Sequence, residues 1–146
     1  MRKLTLLLAA FVLVPFCFAA AQAAQDGSAP SLPGIVAAGL DAYHSGGADQ
    51  AMRAWLRNSP LDGSNEASTQ AQQLYAAQHI YGNYRGFEPI GIKSFAPSTR
   101  AVYLVLDYDS GPLFARFLLY HSGAGWIVTS LAFNPDPNQV LPVDMQ

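Results

Sequence analysis

The chain has 146 residues, a net charge of −2, and 51 % apolar against 12 % charged residues, enough for one domain with its own hydrophobic core. There is no cluster of Lys and Arg, so an acidic chain of this kind gains nothing from phosphate neutralisation, and nucleic acid is not an expected partner. The single cysteine, Cys17, excludes an internal disulfide and a thiolate metal cluster.

Residues 1–23 read as a secretory signal peptide. Arg2 and Lys3 precede an apolar run from Leu4 to Phe18, and Ala21-Gln22-Ala23 supplies the small-residue cleavage pattern. The run is short for a membrane span and Pro15 interrupts it. Membrane contact is therefore expected only through a leader that is then removed. Lipidation at Cys17 is disfavoured, because Phe16 stands where a small residue is needed. Beyond the leader six cations face ten carboxylates, a net charge of −4. The expected location is the periplasm or the exterior.

Residues 24–33 are small and polar and read as a flexible lead-in. Ser31 can cap a helix, and Pro33 suits its first turn. Val36, Leu40 and Tyr43 then form one apolar stripe, which Gly46-Gly47 ends. Asp49 can cap a second helix that buries Ala51, Met52, Trp55 and Leu56, and Ser59-Pro60 closes it. A third helix runs from about Glu66 to Tyr81, with Ala67, Ala71, Leu74, Ala77 and Tyr81 as its stripe and Gly82-Asn83 as its stop.

From Phe87 the period changes. "FEPIGIKSF" is a weak strand that Pro89 and Gly91 confine to an edge or a bend. "RAVYLVLDYD" is a strong strand, and Asp109-Ser110-Gly111-Pro112 turns it into "LFARFLLYH". Ser122-Gly123-Ala124-Gly125 turns again into "WIVTSLAFN", where Trp126 is placed to anchor sheet to helix or sheet to neighbour strand. Strands at hairpin spacing make an antiparallel meander. Alternation puts Leu113, Ala115, Phe117, Leu119 and His121 on one face, with Arg116 and Leu118 on the other. It likewise separates Trp126, Val128, Ser130 and Ala132 from Ile127, Thr129, Leu131 and Phe133, and the sets holding Arg116 and Thr129 read as outward. Residues 135–146, with Pro135, Pro137 and Pro142, read as an extended surface tail. The fold class is α+β, with N-terminal helices packed on a curved antiparallel sheet.

The Tyr81-Gly82 step, the Gly111-Pro112 turn and the Gly125-Trp126 opening of the last strand resemble the NTF2-like (cystatin-related α+β cone) superfamily, and more narrowly its small exported bacterial members. The resemblance spans about residues 35–134, and the domain itself is set at residues 34–134. It implies a sheet curled around the helices with a conical cavity between them, and a possible homodimer over an apolar outer sheet face. These motifs are turns, bends and packing anchors, so they speak to fold rather than to activity.

The chain carries no nucleophile elbow, no glycine-rich phosphate loop and no paired histidines, and no cofactor or metal is expected. His44, His79 and His121 are far apart and read as exposed or turn residues. Ketosteroid-isomerase-like and dehydratase-like members of the superfamily do acid–base chemistry in the cone. Such a site needs a carboxylate in an apolar pocket and a hydroxyl opposite it, and Asp107 with Tyr103 are the candidates here. A ligand site needs a few placed polar groups among apolar ones. Tyr43, Tyr103, Phe117, His121 and Ser130 are the candidates for it. The expected role is non-enzymatic: binding a small apolar or amphipathic molecule or a protein partner. The isomerase-like or dehydratase-like enzyme is the alternative. The hairpin strands carry Leu, Phe, Val, Ile and Ala on both faces, so the cone is expected to be mostly packed core.

Overall fold

The computed structural model describes residues 31–146, and the expected signal peptide and most of the expected lead-in lie outside them. Two helices, α1 (Gly34–Trp55) and α2 (Asn65–Tyr81), precede four strands: β1 (Tyr84–Ala96), β2 (Thr99–Tyr108), β3 (Pro112–Ser122) and β4 (Gly125–Asn134). The strands form one antiparallel meander in the order β1-β2-β3-β4, curved and unclosed, with both helices on one face. The class is α+β.

Chain breakers explain most of the boundaries. The two helices expected before residue 60 are joined in α1, with the break kept as a kink at Gly47, whose φ of 73° lies outside helical geometry. Ser31 does not cap this helix; Pro33 occupies the N-cap position without a side-chain bond, and Ser31 is exposed. The α2 cap is Ser64, whose hydroxyl accepts from Ala67 N–H at 3.1 Å. Gly82, with φ 89°, ends α2.

β1 is an edge strand, and its register slips at three places, one of them at Pro89/Gly91. Bulges of this kind bend a strand and bring on the sheet's curvature. A fourth irregularity corrects the expected facing of β4. Leu118 pairs with Ser130 and Leu119 with Val128, leaving Thr129 as an extra residue. Trp126 and Val128 therefore face the helices before the bulge, and Leu131 and Phe133 face them after it. The assignment for β3 holds: Leu113, Ala115, Phe117 and Leu119 are buried on the helix side.

The core between helices and sheet centres on Trp55, which is fully buried with Phe117 and Phe133 at ring distances of 4.9 and 5.6 Å. Its indole N–H donates to Val36 O at 3.1 Å. Trp55 is thus the sheet-to-helix anchor. Trp126 is only half-buried, and the Arg100 guanidinium lies 3.7 Å above its ring.

The tail also departs from expectation. It does not lie extended but forms two short 3₁₀ turns, Pro137–Gln139 and Val143–Met145. Between them Val140 and Leu141 are buried against Ala101 and Tyr103 on the outer face of the sheet, with Ile90, Phe114, Leu118 and Met145 packed around them. Lys93 Nζ reaches Asp144 at 3.0 Å across this contact. Two apolar residues in a proline-rich segment thus build a second, smaller core on the far side of the sheet.

Candidate functional site

On the helix side, one end of the interior is filled by tyrosines drawn from every layer. Tyr43 of α1 and Tyr108 of β2 share a buried hydrogen bond between their hydroxyls at 2.8 Å. Tyr84 of β1 lies 4.5 Å from the Tyr43 ring and 5.9 Å from the Tyr108 ring, and Tyr81 of α2 lies 6.4 Å from Tyr108. Burial is the largest influence on Tyr43, Tyr84 and Tyr108 and pushes all three phenols up, keeping them neutral. No carboxylate among the described residues is buried with them; Ser59 is the buried polar side chain. This end of the interior is a packed polar-aromatic core in which the Tyr43 and Tyr108 hydroxyls satisfy each other.

The candidates named from the sequence separate into three places. Tyr43 and Phe117 are interior, and Phe117 is wholly buried beneath Trp55 and Phe133 rather than exposed on a cavity wall. His121 is exposed at the end of β3, 5.1 Å from the Trp126 ring. Tyr103, Asp107 and Ser130 lie on the outer face of the sheet. Asp107 and Tyr103 therefore do not enter the space between helices and sheet. They alternate along β2 with Val102, Leu104, Leu106 and Tyr108, which do. Asp107 is half-buried, and burial followed by the charge of Glu88 raises its carboxyl. Among the described residues no three His, Cys, Asp or Glu side chains come together.

Open space lies on the outer face. Beside the folded-back tail is a groove of about 390 Å³ lined by Phe95, Thr99, Ala101, Tyr103, Arg116 and Leu118. Three others, of about 240, 190 and 50 Å³, lie along α1 near the β3–β4 turn, between α1 and α2, and beside the end of α2. Pockets that hold small molecules begin at about 300 Å³, and of these four only the outer groove reaches that size.

Its polar groups are few and well separated by apolar ones. Tyr103 and Arg116 are directly opposite each other on β2 and β3 and share the outer face. Tyr103 is 4 % exposed, and its hydroxyl takes no hydrogen bond among the described residues. Among the described residues no fully buried side-chain polar atom lacks a partner, so the Tyr103 hydroxyl keeps some contact with solvent. Arg116 has no ion-pair partner among the described residues, whereas Lys93, on the same face, is held by Asp144. Of the residues named in advance, only Tyr103 lines the groove; Arg116, Leu118, Thr99 and Phe95 were missed. The alternation that set Arg116 and Leu118 outward was the available signal.

Compared with protein-family models, curated proteins and solved structures, the chain matches none.

Proposed function

We propose that this chain is an exported, NTF2-like binding module that carries its ligand on the outer face of the sheet rather than inside the cone. The observation behind this reading is the division of space. The interior is filled by Trp55, Phe117, Phe133 and the tyrosines, while the ligand-sized groove lies beside the tail. The α+β meander wrapped on two helices is compatible with a cone-like fold, and the leader-like pattern of residues 1–23 supports a periplasmic or extracellular module. The isomerase-like or dehydratase-like alternative loses its support, because Asp107 and Tyr103 stand on the outer face with no apolar pocket closed around the carboxylate.

The test is native mass spectrometry of the chain recovered from the periplasm of an expressing bacterium. A small molecule retained by the wild type and lost in Leu118→Glu, with the fold intact by circular dichroism, is the expected result. A molecule retained equally by Leu118→Glu overturns the outer-face reading.

A further inference from the structure

The outer groove has a chemical polarity that its volume alone does not convey. At one end stand Arg116 and Tyr103, paired across β2 and β3. The next pair on the same face is Ala101 with Leu118, and beyond it come Thr99 and the side chain of Phe95, which is 58 % exposed. From Tyr103 to Thr99 the floor runs about 13 Å at about 3.3 Å per strand residue. The groove is a slot with donors at its head and an apolar body.

The head can be specified further. Arg116 offers a planar fork of N–H donors, always charged, and Tyr103 adds a hydroxyl that no described residue uses. A fork of this geometry matches the two oxygens of a carboxylate. Lys93, the other cation on this face, is already paired with Asp144, so the head carries one unanswered positive charge. No carboxylate is among the lining residues. One cation, one phenol and an apolar floor suit a singly charged anion with a hydrocarbon tail.

Resting on the outer-face binding reading above, we infer that the groove takes a medium-chain monocarboxylate, its carboxylate held by Arg116 and Tyr103 and its chain laid over Ala101, Leu118 and Phe95. The tail packs nearby, where Val140, Leu141 and Met145 share the outer-face core with Tyr103, Ala101 and Leu118. A ligand laid here would extend the second core and bury apolar surface left open beside it.

The experiment uses the full chain and two probes of equal length, octanoate and 1-octanol, with binding followed by backbone amide shifts. Octanoate is expected to move the amides of Thr99, Ala101, Arg116 and Leu118 and to bind about tenfold or more tighter than octanol, the range for a charge-assisted hydrogen-bonded pair. Arg116→Gln should remove that preference, Arg116→Lys should keep part of it, and Tyr103→Phe should weaken octanoate while sparing octanol. Equal binding of both probes at these amides would overturn the carboxylate assignment and leave the groove's binding role standing. Shifts that map elsewhere, or no shifts at these amides with either probe, would overturn both. A variant's own amide spectrum reports its folding, so a collapsed Arg116→Gln is recognised and Tyr103→Phe then carries the test.

Discussion

The hydroxyls of Tyr43 and Tyr108 meet at 2.8 Å inside the protein, sixty-five residues apart in sequence, and tie α1 to β2. Removing one partner leaves the other hydroxyl buried without a bond, which costs about 1–3 kcal/mol. Tyr108→Phe and Tyr43→Phe should each lose that much in urea unfolding. The double variant should lose clearly less than the two together, because no orphan hydroxyl remains. Strict additivity would mean that the two rings are not coupled.

The same tyrosines set the alkaline limit of the fold. Burial raises Tyr43, Tyr84 and Tyr108 above the ordinary tyrosine value, and it is the largest cause for each. A group whose folded value is raised contributes stability that is fully present below its unfolded value and is lost as pH climbs beyond it. Stability should therefore hold up to about pH 10, the free tyrosine value, and fall steeply above it. Absorbance of phenolate during a base titration should show these three ionising together with unfolding. Ionisation of all seven tyrosines in one smooth step before the fold opens would contradict the burial described.

Trp55 and Gly39 form a lock of a different kind. A methyl group added at Gly39 would overlap the Trp55 indole. In an exposed helix Gly→Ala stabilises by about 0.5–1 kcal/mol. Here the sign should reverse, because overpacking costs about 1–3 kcal/mol and the indole has no free space to move into. Trp55→Ala and Phe117→Ala should each cost about 3–5 kcal/mol by emptying a large aromatic site. Trp126→Ala, half-buried under Arg100, should cost no more than about 2 kcal/mol. A larger loss at Trp126 than at Trp55 would mean the anchor has been assigned to the wrong indole.

At low pH the sensitive point is Asp109. Its carboxylate accepts from Asn83 N–H at 2.7 Å, from the Asn83 side chain at 3.1 Å and from Arg85, joining the β2–β3 turn to the α2–β1 connection. These bonds, led by the Asn83 backbone, hold the carboxyl below the usual aspartate value. Its contribution is therefore present above about pH 4 and drains away as pH falls below that. In thermal melts Asp109→Asn should be less stable than wild type at pH 7, with the gap closing towards about pH 2. A gap that stays constant with pH would remove the charge from the explanation.

Much of this architecture is legible in the chain because single residues decide it. Pro89 and Gly91 mark β1 as an edge, Gly82 ends α2, and Asp109 to Pro112 and Ser122 to Gly125 place the hairpin turns. The bulge at Thr129 is not legible, because Trp126 and Val128 are as apolar as Leu131 and Phe133 and either phase of β4 satisfies a buried face. The same ambiguity hides the facing of β2. Val102, Leu104 and Leu106 alternate with Ala101, Tyr103 and Val105, and both sets are largely apolar. What selects the outer side for Tyr103 is its contact with Val140 and Leu141, and two apolar residues among prolines give no periodic signal of it. The groove is hidden by the same two-sided pattern, since Ala101 and Tyr103 of β2 and Leu118 of β3 line it on a face as apolar as the one turned to the helices.

The open edge of β4 yields the last expectation. Among the described residues no strand pairs with β4 on its far side, and an exposed edge invites pairing with another chain. Two side chains occupy it instead. Ser59 donates to Val128 O at 2.6 Å while accepting from Leu61 N–H at 3.0 Å, and Gln70 Oε1 accepts the Phe133 N–H at 2.9 Å. Ser59 is itself buried, so Ser59→Ala strands a carbonyl and an amide together and should cost about 1–3 kcal/mol. Gln70→Ala frees an N–H nearer the surface and should cost less, about 1 kcal/mol. The double variant should also expose enough of the edge to raise aggregation on heating, measured by light scattering against wild type at equal fractions unfolded. If scattering stays at the wild-type level although stability falls, the two side chains serve packing alone and the edge is guarded by the Thr129 bulge.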